Sequence, residues 1–164
     1  MHQFRLITFI FLVVPYFISL ANALKDDSID RVISSEELSG FDGKDGSKIY
    51  LSIFGEVYDV TSGDDFYGPR QSYSFFAGRD ATVTYFTGEF SEEGLKQQHD
   101  ILNFSVKEIK AMIEWRSFYE EHESYKFVGV LTGDFYDSEG RPTQYLKDIL
   151  AKSKESGEEK KPEL

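Results

Sequence analysis

Residues 66–81 of the chain, FYGPRQSYSFFAGRDA, form its most distinctive stretch. Aromatic side chains alternate there with glycine, serine and a proline, and the residues from Thr61 to Gly78 share this composition. Glycine, proline and serine interrupt regular elements, so the composition predicts an ordered loop with short helical turns instead of a long helix or strand. Because loops on a rigid scaffold often carry binding residues, we expect the functional site here.

The residues before this loop predict a pair of β-strands. Ile49, Leu51 and Ile53 occupy every second position, and this period of two is typical of a half-buried strand. Gly55 interrupts the pattern, and residues 57–60, VYDV, resume it. A hairpin or a tight pair of strands is therefore expected.

Two short helices are predicted on either side of these strands. Ser34 and Glu37 have the spacing of a capping box, which indicates a helix that begins near residue 35. Residues 79–87 predict one helix, with Asp80 near its positively polarised start.

The clearest helix is predicted over residues 106–120, where Ser105 and Glu108 form a second capping box. Its apolar face consists of Val106, Ile109, Met112, Ile113 and Trp115. Residues 127–131 predict a closing strand. The expected fold class is α+β, with one small sheet and several short helices.

The start of the chain predicts a targeting segment. Arg5 is followed by the almost wholly apolar Leu6–Leu20, and Ala21-Asn22-Ala23 has the small-x-small pattern of a signal-peptidase site. We predict that residues 1–23 are a signal peptide; the alternative is an uncleaved anchor over Leu6–Leu24. The expected location is extracellular, with the endoplasmic reticulum lumen or a signal-anchored position in the endomembrane system as the alternative.

Composition narrows the classes of function. The 164 residues leave room for one domain. A formal net charge of −11 excludes nucleic acid as an expected partner, because an acidic chain repels phosphates. The chain has no cysteine, which excludes disulfides and zinc–thiolate sites. Residues 152–164 are mostly Lys, Glu, Ser and Gly and predict a solvated tail.

Residues 66–81 resemble the membrane-associated progesterone receptor family, a branch of the cytochrome b5-like fold. The resemblance continues through residues 55–61, GEVYDVT, through the helix that carries Trp115 and through residues 125–129, YKFVG. It covers about residues 35–131 and implies a cytochrome b5-like haem-binding domain.

The segment after residue 131 looks most like a secreted member of this family, on the residues LTGDFY at 131–136 with Gly140 and Pro142. We accordingly divide the chain after the signal peptide into a haem-binding domain at 35–134 and a C-terminal extension with a solvated tail at 135–164.

The resemblance also implies a site of three tyrosines around a non-covalent haem b. Tyr73 matches the tyrosine whose phenolate binds the haem iron in this family, so it is the expected metal ligand. Tyr67 matches a tyrosine that forms hydrogen bonds near it, and Tyr125 matches a third tyrosine of the pocket. Ser124 stands where the family has a lysine.

The residues themselves agree with tyrosine ligation. His99 and His122 have polar neighbours and are interpreted as surface residues, which argues against a bis-histidine haem. A phenolate is a hard anionic donor that favours ferric iron. Apolar walls for the porphyrin are expected from four phenylalanines, namely Phe66, Phe75, Phe76 and Phe86.

No nucleophile–base pair or acid–base dyad is evident, so we do not predict an enzyme. Asn103-Phe104-Ser105 is a glycosylation sequon at Asn103.

The first interpretation is a secreted haem-binding protein in extracellular signalling, of the neuronal-differentiation kind that the resemblance implies, or in haem handling. A cell-surface receptor or membrane protein is then a further partner, and the oligomeric state is open. The alternatives are an electron-transfer or accessory partner of a membrane oxidase, and a haem-free interaction domain.

Overall fold

The computed structural model describes residues 31–89, 91 and 100–155. The predicted signal peptide at 1–23, His99 and the tail from residue 156 lie outside the described residues. Within the described ranges, no helix is both long and apolar enough to cross a bilayer.

A four-stranded mixed sheet forms the centre of the described fold. Its strands are β1 (Val32–Ile33), β2 (Tyr50–Ile53), β3 (Glu56–Asp59) and β4 (Lys126–Leu131), in the order β1-β4-β3-β2. Strand β1 runs parallel to β4, whereas β4, β3 and β2 are antiparallel neighbours.

The predicted hairpin is confirmed as the β2–β3 pair. Phe54 and Gly55 form its two-residue turn, and both have positive φ, at 50° and 73°. Two positive φ values are the signature of a type I′ turn, which matches the twist of the flanking strands. A side chain at Gly55 would also lie 2.9 Å from Phe135 and Tyr136, so glycine is needed for close packing as well.

Five helices surround the sheet in the described part of the chain. They are α1 (Ser35–Ser39), α2 (Asp64–Tyr67), α3 (Thr84–Thr87), α4 (Val106–Glu121) and α5 (Gln144–Ser153). Single 3-10 turns lie at Lys44–Gly46, Thr61–Gly63, Ser74–Phe76 and Ile101–Asn103. The loop that contains the site is thus made of short helical turns, as its composition predicts.

Helix α4 confirms its predicted bounds and cap. The Glu108 backbone N–H donates to Ser105 Oγ at 3.3 Å, and the Ser105 N–H donates to Glu108 Oε2 at 2.6 Å. On the predicted apolar face, Ile109 and Met112 are buried, whereas Trp115 is 45% exposed. Its ring packs on Tyr85, 5.5 Å away between centroids, at the edge of the core.

The capping box predicted at the start of α1 is only half present. The Glu37 N–H donates to Ser34 Oγ at 3.1 Å. The Glu37 carboxylate pairs instead with Arg31 at 3.3 Å, because a guanidinium offers a charged partner that a backbone N–H does not.

The helix predicted over residues 79–87 is wrong in its first half, since α3 begins at Thr84. The preceding backbone pairs with β2: the Ser52 N–H donates to Arg79 O and the Ala81 N–H donates to Ser52 O. The Asp80 carboxylate accepts hydrogen bonds from Ser52 Oγ at 2.6 Å and Thr82 Oγ at 2.7 Å. Asp80 therefore anchors a β-bridge and does not face a helix dipole.

The segment after β4 packs into the core. Thr143 caps α5 by accepting from the Leu146 N–H, and Leu146 and Ile149 are buried. Lys152 Nζ donates to Leu102 O at 2.6 Å. The solvated tail predicted from residue 152 is thus wrong for its first two residues, which complete α5.

Candidate functional site

A tight turn presents Tyr73 beside the end of α2. The Gln71 N–H donates to Gly68 O at 3.0 Å, and Arg70 has a φ of 75°, which makes residues 68–71 a turn with proline at its second position. A side chain at Gly68 would lie 2.4 Å from Asp64 O, so only glycine fits there. The Tyr73 N–H then donates to Phe66 O at 3.1 Å and fixes the end of the turn.

Tyr73 is the accessible tyrosine of the site. Its side chain is 45% exposed, and its hydroxyl forms no hydrogen bond with the described residues. Its ring lies parallel to Phe76 at 6.0 Å between centroids and tilted against Tyr67 at 6.2 Å. The ring is held on one side while the phenol oxygen remains open to a ligand.

Tyr67 lies buried behind Tyr73, at 6% exposure. Its hydroxyl shares a hydrogen bond of 2.9 Å with the Tyr119 hydroxyl. Burial raises the pKa of Tyr67, and its contacts with Tyr119 and Tyr125 raise it further. Tyr67 is therefore a neutral phenol at physiological pH, with one hydrogen to donate.

Tyr125 is half-buried beside Tyr67, with the ring centroids 6.1 Å apart. Gly63 makes room for it, because a side chain at Gly63 would lie 2.7 Å from the Tyr125 hydroxyl. The fold thus brings Tyr73, Tyr67 and Tyr125 together, although Tyr67 and Tyr125 are 58 residues apart in sequence. The three residues lie in α2, in the segment that follows it and just before β4.

Sequence reasoning missed two further tyrosines of the cluster. Tyr119, on α4, is 1% exposed, and its hydroxyl lies 2.7 Å from that of Tyr85 on α3. Burial raises the pKa of both residues. The helical spacing of Tyr119 from Trp115 and Met112 is the one sequence signal that could have placed it on an inward face.

His122 does not behave as the surface residue that its neighbours indicated. It is half-buried, and its ring stacks on Tyr125 at 3.7 Å and 12°. The Ser124 N–H donates to His122 Nδ1 at 3.3 Å. The contact with the imidazole thus comes from the backbone of residue 124 and not from the serine side chain.

The four phenylalanines predicted to form apolar walls differ in their exposure. Phe66 is 56% exposed, as a wall residue should be, but Phe76 is buried. Phe75 is half-buried beneath the Arg79 guanidinium at 4.7 Å, and Phe86 packs on Phe104 at 4.9 Å.

Two further exposed aromatic rings lie on α4. Trp115 is 45% and Phe118 is 42% exposed, and their rings are 5.8 Å apart. Phe118 also lies 6.3 Å from Tyr125 and so joins α4 to the tyrosines. We call the exposed rings of Phe66, Tyr73, Trp115 and Phe118 the aromatic face.

Comparison with known proteins shows the family of the chain. The family model described as "Cytochrome b5-like Heme/Steroid binding domain" matches residues 34–148. Neuferricin of Xenopus tropicalis is 48% identical over 121 residues, which cover 73% of this chain and 43% of that protein. Membrane-associated progesterone-binding protein 4 of Arabidopsis thaliana is 39% identical over 149 residues, or 90% of this chain and 59% of that protein.

A solved structure supports the fold. A hypothetical Arabidopsis thaliana protein, described as having a cytochrome b5-like fold, superposes with a TM-score of 0.53 at 33% identity, over 63% of this chain and 92% of that one. The predicted α+β cytochrome b5-like fold is confirmed. The chain spans about half the length of the curated relatives it matches.

Proposed function

Because the chain belongs to the cytochrome b5-like haem/steroid-binding domain family, we propose that it binds haem b non-covalently, with the Tyr73 phenolate as the iron ligand. The observation that carries this proposal is the exposed Tyr73 side chain, whose hydroxyl forms no hydrogen bond with the described residues. Such a phenol can lose its proton to meet ferric iron without breaking any hydrogen bond of the fold.

The aromatic face fits a porphyrin. Its four rings are between 42% and 56% exposed, which is unusual for side chains of this size in a folded domain. Covering them with a flat apolar ligand removes that surface from water at roughly 25 cal/mol per Å². The face therefore supplies affinity, while Tyr73 supplies the bond that orients the ligand.

The other two predicted tyrosines support the ligand. In this proposal Tyr67, a neutral phenol whose ring lies 6.2 Å from that of Tyr73, donates a hydrogen bond to the phenolate oxygen. Tyr125, stacked on His122, closes the site from the side of β4. Haem supplies a redox-active iron, and an anionic phenolate ligand keeps that iron in the ferric state.

In this proposal the chain is a binding protein and not an enzyme. Its similarity to neuferricin supports a secreted haem-binding protein in extracellular signalling or haem handling. Residues 1–23 would direct secretion, and a cell-surface receptor or membrane protein would be the partner. The exposure of Asn103, in the turn before α4, supports glycosylation of that residue.

Haemin titration followed by absorption spectroscopy tests the proposal. We expect the purified chain to form a saturable one-to-one complex with a ferric tyrosinate spectrum. Tyr73→Phe should abolish that spectrum and weaken binding by more than the roughly 10–100-fold that loss of a supporting group costs. Tyr145→Phe is the matched control, because the Tyr145 hydroxyl bonds to Ile101 N and Asp100 away from the site.

The opposite result is equally clear. If the chain takes up no haemin in a saturable manner, the haem proposal is wrong, and the haem-free interaction domain becomes the working account.

A further inference from the structure

Three tyrosine hydroxyls behind Tyr73 form one continuous chain of hydrogen bonds. The Tyr67 and Tyr119 oxygens are 2.9 Å apart, and the Tyr119 and Tyr85 oxygens are 2.7 Å apart. The residues come from α2, α4 and α3, so this row of hydrogen bonds links three separate elements across the core. Tyr119, in the middle, has 1% of its surface exposed.

The direction of this chain follows from counting hydrogens. Each phenol has one hydrogen and can accept hydrogen bonds at the same oxygen. If Tyr85 donates to Tyr119 and Tyr119 donates to Tyr67, the Tyr67 hydrogen is left over for Tyr73 or for the Tyr125 hydroxyl, which also interacts with Tyr67. A phenolate at Tyr73 is the stronger acceptor of the two, because it is charged. In the reverse direction Tyr67 donates its hydrogen to Tyr119. Only the first direction lets Tyr67 donate to an anion at Tyr73.

We propose that Tyr85 and Tyr119 are positioning residues of the haem site, which act in series to direct the Tyr67 hydrogen toward the Tyr73 phenolate. This inference rests on the proposed function. In a low-dielectric interior, successive hydrogen bonds polarise one another by roughly 10–30% per bond, so each remote hydroxyl strengthens the donation to the phenolate. All three hydroxyls therefore act on the phenolate through the single hydrogen bond from Tyr67.

We call the hydrogen-bonded hydroxyls of Tyr67, Tyr119 and Tyr85 the relay, and its surroundings favour this role. Burial raises the pKa of Tyr67, Tyr119 and Tyr85, which keeps all three protonated and able to donate. The other titratable groups that face them are Tyr125, beside Tyr67 and Tyr119, Tyr58, whose ring lies 5.8 Å from that of Tyr119, and Asp80, whose charge acts on Tyr85.

Ring packing fixes the geometry of the relay. Tyr85 stacks on Phe76 at 4.6 Å and packs on Trp115 at 5.5 Å, which holds its hydroxyl in place. Phe76 in turn lies parallel to Tyr73. On the far side, Tyr125 carries the stacked His122, the imidazole nearest to the relay among the described residues.

The test is an acid titration of the haemin-loaded full chain. A hydrogen bond to the phenolate stabilises the anion, so its loss lets the phenol form at higher pH. Tyr67→Phe removes that hydrogen bond itself and should raise the midpoint pH at which the tyrosinate band disappears by roughly one unit, the scale of a hydrogen bond to a charged group. Tyr119→Phe removes only the polarisation of that bond and should raise the midpoint by roughly 0.1–0.3 unit. Tyr85→Phe should raise it by less. The double variant should equal Tyr119→Phe alone, because Tyr85 acts only through Tyr119.

The matched control is Tyr136→Phe, which removes a buried tyrosine hydroxyl that donates to Glu56 at 3.3 Å, outside the relay. Its midpoint should equal that of the wild type, whatever stability it loses. If Tyr119→Phe does not fold, Tyr85→Phe, at the half-buried end of the relay, carries the test.

Two results would overturn the relay. One is an unchanged midpoint in both single variants while Tyr73→Phe still abolishes the band. The other is a double variant whose shift is the sum of the two single shifts. Absence of the tyrosinate band in the wild type would instead overturn the proposed function, and the relay with it.

Discussion

The described part of the chain contains two groups of tyrosines whose hydroxyls find their hydrogen-bond partners in different ways. At Glu56, the Tyr58 hydroxyl donates to the carboxylate at 2.7 Å, and Arg116 binds it through two nitrogens at 2.8 and 2.7 Å. Tyr136 adds a hydrogen bond at 3.3 Å. We call this the Glu56 cluster. The relay of Tyr67, Tyr119 and Tyr85 has hydroxyls only.

This difference in hydrogen bonding distinguishes tyrosines that stabilise the fold from tyrosines that can interact with a ligand. In the Glu56 cluster each hydroxyl ends on a charge, and that charge is neutralised by a guanidinium. The relay ends beside Tyr73, whose hydroxyl has no hydrogen-bond partner among the described residues. A closed polar network contributes to structural specificity. An open end is where a ligand can complete the network.

The largest expected effect comes from opening the Glu56 cluster. Arg116→Met leaves the Glu56 carboxylate buried without its cation, and breaking such a pair costs about 3–5 kcal/mol. Because Arg116 is 27% exposed, we expect about 3 kcal/mol, measured as a lower free energy of unfolding in urea.

A paired variant isolates the cause. Adding Glu56→Gln to Arg116→Met removes the unpaired charge and should recover part of the loss. A cost below about 1 kcal/mol for Arg116→Met alone would show that the cluster is not the structural half of the comparison.

A smaller loss is expected from breaking the relay in the protein without haem. Tyr119→Phe deprives both Tyr67 and Tyr85 of a hydrogen-bond partner, and an unsatisfied buried hydroxyl costs about 1–3 kcal/mol. Chemical denaturation of Tyr119→Phe beside Arg116→Met makes the comparison. A larger loss for Tyr119→Phe than for Arg116→Met would reverse the assignment of the two clusters.

A charge pair at the surface tests whether burial is what makes the Glu56 cluster costly to break. Lys48 Nζ lies 2.9 Å from Asp59 Oδ2. Partial burial alone would raise the pKa of Asp59, but hydrogen bonds from Thr61 and Lys48 outweigh it and lower the pKa below its ordinary 3.8. The stability from this group is therefore present above pH 3.8 and is lost as the pH falls through the lower, folded-state pKa.

Asp59→Asn should accordingly cost less than about 1 kcal/mol at neutral pH. The difference from the wild type should vanish in strong acid, below the folded-state pKa. Unfolding curves across that pH range check both points; a difference that grows toward acid would contradict the sign.

The smallest expected effect on stability belongs to Tyr73 itself. Its side chain is exposed and its hydroxyl bonds to none of the described residues, so Tyr73→Phe should change the free energy of unfolding by less than about 0.5 kcal/mol. Thermal and urea unfolding of the haem-free protein measure this. A loss above about 1 kcal/mol would mean that Tyr73 stabilises the fold.

Local patterns predicted local structure. The β2–β3 hairpin and the cap of α4 follow from neighbouring residues alone, and both are present. The first half of the helix predicted over 79–87 is absent because the Asp80 carboxylate accepts a hydrogen bond from Ser52, which is distant in sequence. The half-formed box at Ser34 failed for the same reason, since Arg31 took the Glu37 carboxylate.

The candidate site was predicted in part. Resemblance singled out Tyr73, Tyr67 and Tyr125, which the fold brings together, although their roles remain predictions. It was silent on Tyr119 and Tyr85, because their role depends on which faces of α3 and α4 meet. The same limit hid the exposure of Trp115, which shares its helix with the buried Met112.

Resonance Raman spectroscopy of the haemin complex tests the central claim most directly, because excitation into the phenolate-to-iron band enhances vibrations of the bound tyrosinate. We predict these vibrations in the wild type and in Tyr67→Phe, and their complete loss in Tyr73→Phe. Tyrosinate vibrations that persist in Tyr73→Phe, or an iron ligand that is lost in His122→Ala instead, would contradict tyrosine ligation at position 73.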